Sequence, residues 1–110
     1  MSDTVSKLGA VNKRLMGLFG ADQKTMLAFR QLSETTVREG SVSTAMKEVI
    51  AVALAVAKGG DDCILFHVNA AKKHGATREM LVEVLAVAIE MSGGPGTVYS
   101  AKAVEAFDGL

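Results

Sequence analysis

Apolar side chains recur every three or four residues along most of this chain, the spacing that lines one face of an α-helix. Val5, Leu8, Val11, Leu15 and Leu18 make the first such stripe, with Gly20 after it as a stop. Asp22 is placed to N-cap a second helix, which Gly40 would close, glycine tolerating the left-handed conformation in which helices commonly end. Ser43 or Thr44 caps a third, "AMKEVIAVALAVAK", closed by Gly59-Gly60. Asp61 can cap a fourth, "DCILFHVNAAKKH", closed by Gly75, with His74 in the last turn where a basic group suits the helix dipole. Thr77 caps a fifth, "REMLVEVLAVAIEM". The segment "SGGPG" then breaks the pattern, and "TVYSAKAVEAF" reads as a sixth, short helix. The valines of "VIAVALAVA" permit a strand, but interspersed alanines and the length of the segment favour helix. The pattern predicts an all-α fold of about six helices.

The third and fifth helices are apolar nearly all round, so each expects burial on every side. Composition sharpens this point. Nearly half of the 110 residues are apolar (49%) and only 5% are aromatic, so the apolar bulk comes from Ala, Val, Leu and Met. A chain this short has trouble hiding that much apolar surface inside itself. It is expected to form a homo-oligomer whose interfaces resemble a core cut in half. No linker or repeat divides it, and residues 1–110 are expected to form a single domain.

Charge narrows the classes further. Lys and Arg total 12, Asp and Glu also 12, and neither sign forms a run. That excludes the basic stripe of a nucleic-acid or anionic-membrane binder. The longest uncharged apolar run, Val49 to Ala57, is about half a membrane span. "MSDTVSKLGA" lacks the apolar core of a signal peptide, and one cysteine cannot form an internal disulfide, so a cytoplasmic protein is expected. The methionines Met16, Met26, Met46, Met80 and Met91 fall at core spacing as gap-fillers. Tyr99 and Phe107 are read as core or interface packing before pocket lining. The Gly93-Gly94-Pro95-Gly96 turn is no phosphate loop, having neither a following Lys-Ser/Thr nor a preceding strand. No cofactor is implied.

Candidate chemistry concentrates in "GGDDCILFH", which holds the only cysteine, Cys63, and one of two histidines, His67. On a helix capped at Asp61, Cys63 lies in the first turn and His67 one turn on, on the same face. The helix N-terminus and a protonated imidazole favour thiolate, while Asp61 and Asp62 oppose it by like charge. Spacing alone leaves open whether Cys63 is a working thiol or a small packing residue. Zinc wants three or four ligands and this segment offers two, so no metal is expected. Glu48, opening the third helix, is either solvated or, if it packs on the next helix, a buried carboxylate suited to accept a proton.

Together these residues resemble a known family. "KEVIAVALAVAKGGDDCILFHVNAAKKHGATREMLVEVLAVAI" is similar to the core of the carboxymuconolactone decarboxylase and AhpD-like alkylhydroperoxidase superfamily. The shared pattern is a Glu opening an apolar helix, eleven residues, C-x-x-C-x-x-x-H, and a helix ending in Gly-Ala-Thr. The resemblance implies an AhpD-like helical fold assembled as a trimer or hexamer. It makes Glu48 the acidic member of a proton relay, His67 the relay histidine and Cys63 the peroxidatic cysteine. The first cysteine falls on Gly60, and Asp62 stands where the hydroperoxidase has a second histidine. In redox-active members the two cysteines cycle through a disulfide reduced by a lipoylated partner, which this chain cannot close within one subunit.

Three functions follow as expectations. The first is an AhpD-like thiol peroxidase reducing small hydroperoxides through Cys63, with an external thiol or lipoylated protein as reductant. The second is a lactone decarboxylase using His67 and Glu48, which needs a cation for its carboxylated substrate; Lys47, Lys58, Lys72 and Lys73 offer only weak candidates. The third is a non-enzymatic helical oligomer with an inert Cys63.

Overall fold

The computed structural model describes residues 3–110, and these form six helices: α1 (Asp3–Ala21), α2 (Gln23–Val37), α3 (Thr44–Lys58), α4 (Asp61–Lys73), α5 (Arg78–Ser92) and α6 (Gly94–Gly109). There is no strand among the described residues. Three of the expected caps form. Asp22 accepts from the Thr25 N–H at 3.2 Å, Ser43 from Met46 N–H at 3.1 Å and Thr77 from Met80 N–H at 3.1 Å, each satisfying a donor the helix leaves open. Ser43, rather than Thr44, is the cap of α3.

Four boundaries differ from the sequence pattern, each for a local reason. Gly20 does not stop α1, which runs to Ala21 and bonds the Asp22 N–H to the Leu18 carbonyl at 2.9 Å. α2 ends at Val37 instead of Gly40, because side chains serve its last carbonyls: Thr44 Oγ1 donates to Val37 O (2.6 Å) and Lys47 Nζ to Arg38 O (2.7 Å). Asp61 is the first residue of α4, not its cap; Gly60 holds the cap position without a side chain, and the Asp61 carboxylate is drawn to Lys102 instead. Finally, α6 is a long helix beginning at Gly94. Pro95 lies in its first turn, where the missing N–H would have no helical partner anyway, so the "break" is a helix start.

α3 through α6 make the bundle. Val49, Val52 and Val56 of α3 are closed over by Ile64 and Val68 of α4, Leu81 and Leu85 of α5, and Ala103 and Phe107 of α6. Phe107 is buried as expected, and Lys72 reaches across to its ring and donates to the carbonyls of Phe107 (2.7 Å) and Leu110 (2.6 Å), capping the end of α6. Arg78 joins the start of α5 to Asp108 near the end of α6 through two hydrogen bonds, which hold the Asp108 carboxyl below its ordinary 3.8.

α1 and α2 stand apart from this body. α1 touches it through Leu8 and Val11, and α2 buries none of its residues. Leu27, Phe29 and Leu32 of α2 are exposed, as are Ile50 and Leu54 of α3 and Val82, Val87 and Met91 of α5. Two of the methionines therefore depart from the core reading: Met16 is 74% exposed and Met91 79%, on helix faces the bundle does not cover. No described helix is long and apolar enough to cross a membrane.

Candidate functional site

The site grows from the α3–α4 hairpin, whose turn is only Gly59-Gly60. Gly59 ends α3 in the left-handed conformation at φ 73°, with its N–H to Val56 O at 3.2 Å and the Gly60 N–H to Ala55 O at 3.0 Å. A side chain there is disfavoured twice. The conformation suits glycine, and a Cβ on Gly59 would stand 3.3 Å from Cζ and Oη of Tyr99. So tight a turn sets α3 and α4 side by side.

That pairing brings Glu48 and His67 together. Glu48 is buried at 7% exposure and its Oε1 lies 2.8 Å from His67 Nδ1. A carboxylate only accepts, so Nδ1–H donates to it, and in the neutral imidazole Nε2 is then the nitrogen that carries the lone pair. Of the two readings open for Glu48, the structure selects the carboxylate packed on the next helix. The Phe66 ring meets the imidazole edge-on, with centroids 5.2 Å apart.

Cys63 stands one turn before His67 on α4 and is exposed. The thiol makes no hydrogen bond to His67 or to any other described residue. Its sulfur turns instead toward the chain at position 60: a Cβ on Gly60 would lie 3.5 Å from Cys63 Cβ and 3.7 Å from Sγ. Paired cysteines have Cβ atoms about 3.5–4.5 Å apart. Position 60 thus keeps the geometry of a C-x-x-C pair although it carries no thiol.

Both aspartates beside Cys63 are ion-paired with cations from other helices. Lys102 of α6 donates to both Asp61 oxygens at 3.1 and 3.0 Å, and Arg14 of α1 pairs with Asp62 at 2.8 Å. These partners escape sequence reading, whereas Tyr99, read as packing, does pack, against Gly59. The two cations lie 41 and 48 residues from their aspartates, beyond the reach of any local pattern. Among the described residues no cluster of three or more His, Cys, Asp or Glu could hold a metal ion.

Comparison with known proteins bears on this arrangement. The sequence profile described as "Carboxymuconolactone decarboxylase family" matches residues 23–106. The chain belongs to the carboxymuconolactone decarboxylase family. A family protein of Legionella pneumophila, solved as an apo crystal structure, superposes with a TM-score of 0.92 at 37% identity, covering 97% of this chain and 96% of that one. An uncharacterised protein of Cupriavidus necator is 48% identical over 109 residues, 99% of this chain and 96% of the relative. Another, described as uncharacterised protein 4 in the cox locus of Paracoccus denitrificans, is 36% identical over 81 residues, 74% of this chain and 73% of its own length. The family match spans α2 through most of α6, and so includes Glu48, Gly60, Cys63 and His67.

Proposed function

We propose that the chain is a thiol peroxidase of the AhpD-like class that reduces small hydroperoxides at Cys63. The observation that carries this reading is an exposed thiol in the first turn of α4, one turn from a histidine whose Nδ1 is held 2.8 Å from a buried carboxylate. His67 Nε2 takes the thiol proton, directly after a rotation of Cys63 or through one water. The thiolate sulfur attacks the terminal oxygen of the hydroperoxide and the O–O bond breaks. The proton on Nε2 passes to the departing alkoxide, leaving an alcohol and the Cys63 sulfenic acid. With glycine at position 60, an external thiol condenses with the sulfenic acid, releasing water and leaving a mixed disulfide. A second thiol frees Cys63 and departs as the oxidised reductant, either a small thiol or a lipoylated protein. Peroxide consumption with an external thiol tests this: Cys63→Ser is expected to lower it by about 100-fold or more, since the nucleophile itself is removed. Unchanged turnover would refute the reading.

The exposed apolar residues of α2, α3 and α5 support assembly as a homo-oligomer, a trimer or hexamer in keeping with the resemblance. A second reading rests on the lack of a bond between Cys63 and His67, which leaves the Glu48–His67 pair able to move protons without the thiol. It would make the chain a decarboxylase of a carboxylated lactone. Its need for a cation is poorly met: Lys47 is committed to Arg38 O and Lys72 to the end of α6, leaving Lys58 and Lys73. Carbon dioxide release from such a lactone, persisting in Cys63→Ser, would favour it over the peroxidase.

A further inference from the structure

The turn that carries Cys63 is gripped from α6 by two side chains one helical turn apart. The Tyr99 ring lies against Gly59, filling the space where a Cβ would be, with Cζ and Oη 3.3 Å from that position. Lys102 holds both carboxylate oxygens of Asp61, and its Nζ is 5.5 Å from the Tyr99 ring centroid, within cation–π reach. One residue thus packs on the first residue of the two-residue turn and the other bonds the first residue after it. Neither touches Cys63. The backbone between them leads into the first turn of α4, where Cys63 Cβ and Sγ lie 3.5 and 3.7 Å from the place a Cβ on Gly60 would take.

We infer that Tyr99 and Lys102 form a positioning clamp for Cys63, Tyr99 fixing the turn's shape and Lys102 also neutralising the charge two residues from the thiol. This rests on Cys63 being the working thiol. The charged groups around that turn are Asp61, Asp62 and His67 of α4, Lys58 and Glu48 of α3, Lys7 and Arg14 of α1, and Lys102 and Glu105 of α6. Glu48 is bonded to His67, and Asp62 to Arg14. Lys102 is the one cation bonded to Asp61 among the described residues. Without it, Asp61 keeps only the longer-range field of Lys7, and its carboxylate disfavours the forming thiolate.

The test is the rate of Cys63 alkylation by iodoacetamide against pH, which reads the thiol without any peroxidase assay. Lys102→Met is expected to slow alkylation roughly two- to three-fold near neutral pH at low ionic strength, with the profile displaced to higher pH. Lys102→Arg restores the parent profile, and high salt erases the difference. Tyr99→Ala is expected to lower the rate at every pH without that displacement, while Tyr99→Phe, which keeps the ring on Gly59, restores it. Circular dichroism confirms that each variant is folded. Folded Lys102→Met and Tyr99→Ala proteins with parental profiles would overturn the clamp; so would a Lys102→Met defect that arginine does not rescue. Because alkylation is independent of turnover, a failed peroxide assay alongside the expected profiles would count against the proposed activity and not against the clamp.

Discussion

Gly60→Cys is expected to convert the single thiol into a dithiol that closes on itself. Its backbone, at φ −93° and ψ 90°, is open to any residue, so the substitution introduces no strain. The new Cβ would lie 3.5 Å from that of Cys63, at the short end of the disulfide range. One equivalent of hydrogen peroxide should then remove both free thiols, with loss of two hydrogens by mass spectrometry and recovery on reduction. Under the same treatment the parent protein would stop at the sulfenic acid or a mixed disulfide. A resolving thiol held in the same chain acts at an effective concentration of about millimolar or above. With a dithiol reductant, peroxide turnover should accordingly rise by roughly one order of magnitude. The short loop closed by the bond should add about 2 kcal/mol of stability to the oxidised form. Two thiols that survive peroxide, or that join only between chains, would contradict the placement of position 60 beside Cys63.

Gly59→Val should have the opposite character, a large loss with no chemistry gained. A β-branched residue at φ 73° costs about 1–3 kcal/mol in the backbone alone. Crowding against the Tyr99 ring, already 3.3 Å from a bare Cβ, adds about 1–3 kcal/mol more. A total of about 2–6 kcal/mol corresponds to a fall in Tm on the order of 10–25 °C for a chain of this size. A melting scan at fixed protein concentration measures it, and a fall of only a degree or two would show that the turn tolerates the side chain. The adjacent glycines therefore answer to different constraints: Gly59 is required by conformation, Gly60 is not.

The sequence carried the helices well because their cause is local. Apolar stripes and the caps at Asp22, Ser43 and Thr77 depend on neighbours three or four residues away. Boundaries were misjudged where distant side chains intervened. Thr44 and Lys47 finish α2 before Gly40, and Lys102 takes the carboxylate that would otherwise have capped α4. Likewise the burial of Glu48 was legible only as an alternative, since it depends on how α4 lies over α3. The exposure of Met16 and Met91 was not legible, because helical spacing shows that a face is apolar without saying what covers it. The candidate triad was found through its family pattern, while the cations around it belong to tertiary structure.

Glu48 and His67 are only 19 residues apart and are joined by one two-residue turn, whereas the pairs that hold the start of α4 span 41 and 48 residues. In loop-closure terms the longer pairs cost about 0.7–0.8 kcal/mol more to bring together. The larger difference is in what each requires to exist. The carboxylate–imidazole bond belongs to a single helical hairpin and persists as long as that hairpin does. The grip on the thiol's turn belongs to the closed chain and lapses whenever α6 lifts away in a partial opening. Cys63 and His67, neighbours on one helix, are thus held by units of different cooperativity, and a fluctuation can disarrange the sulfur while leaving the imidazole in place.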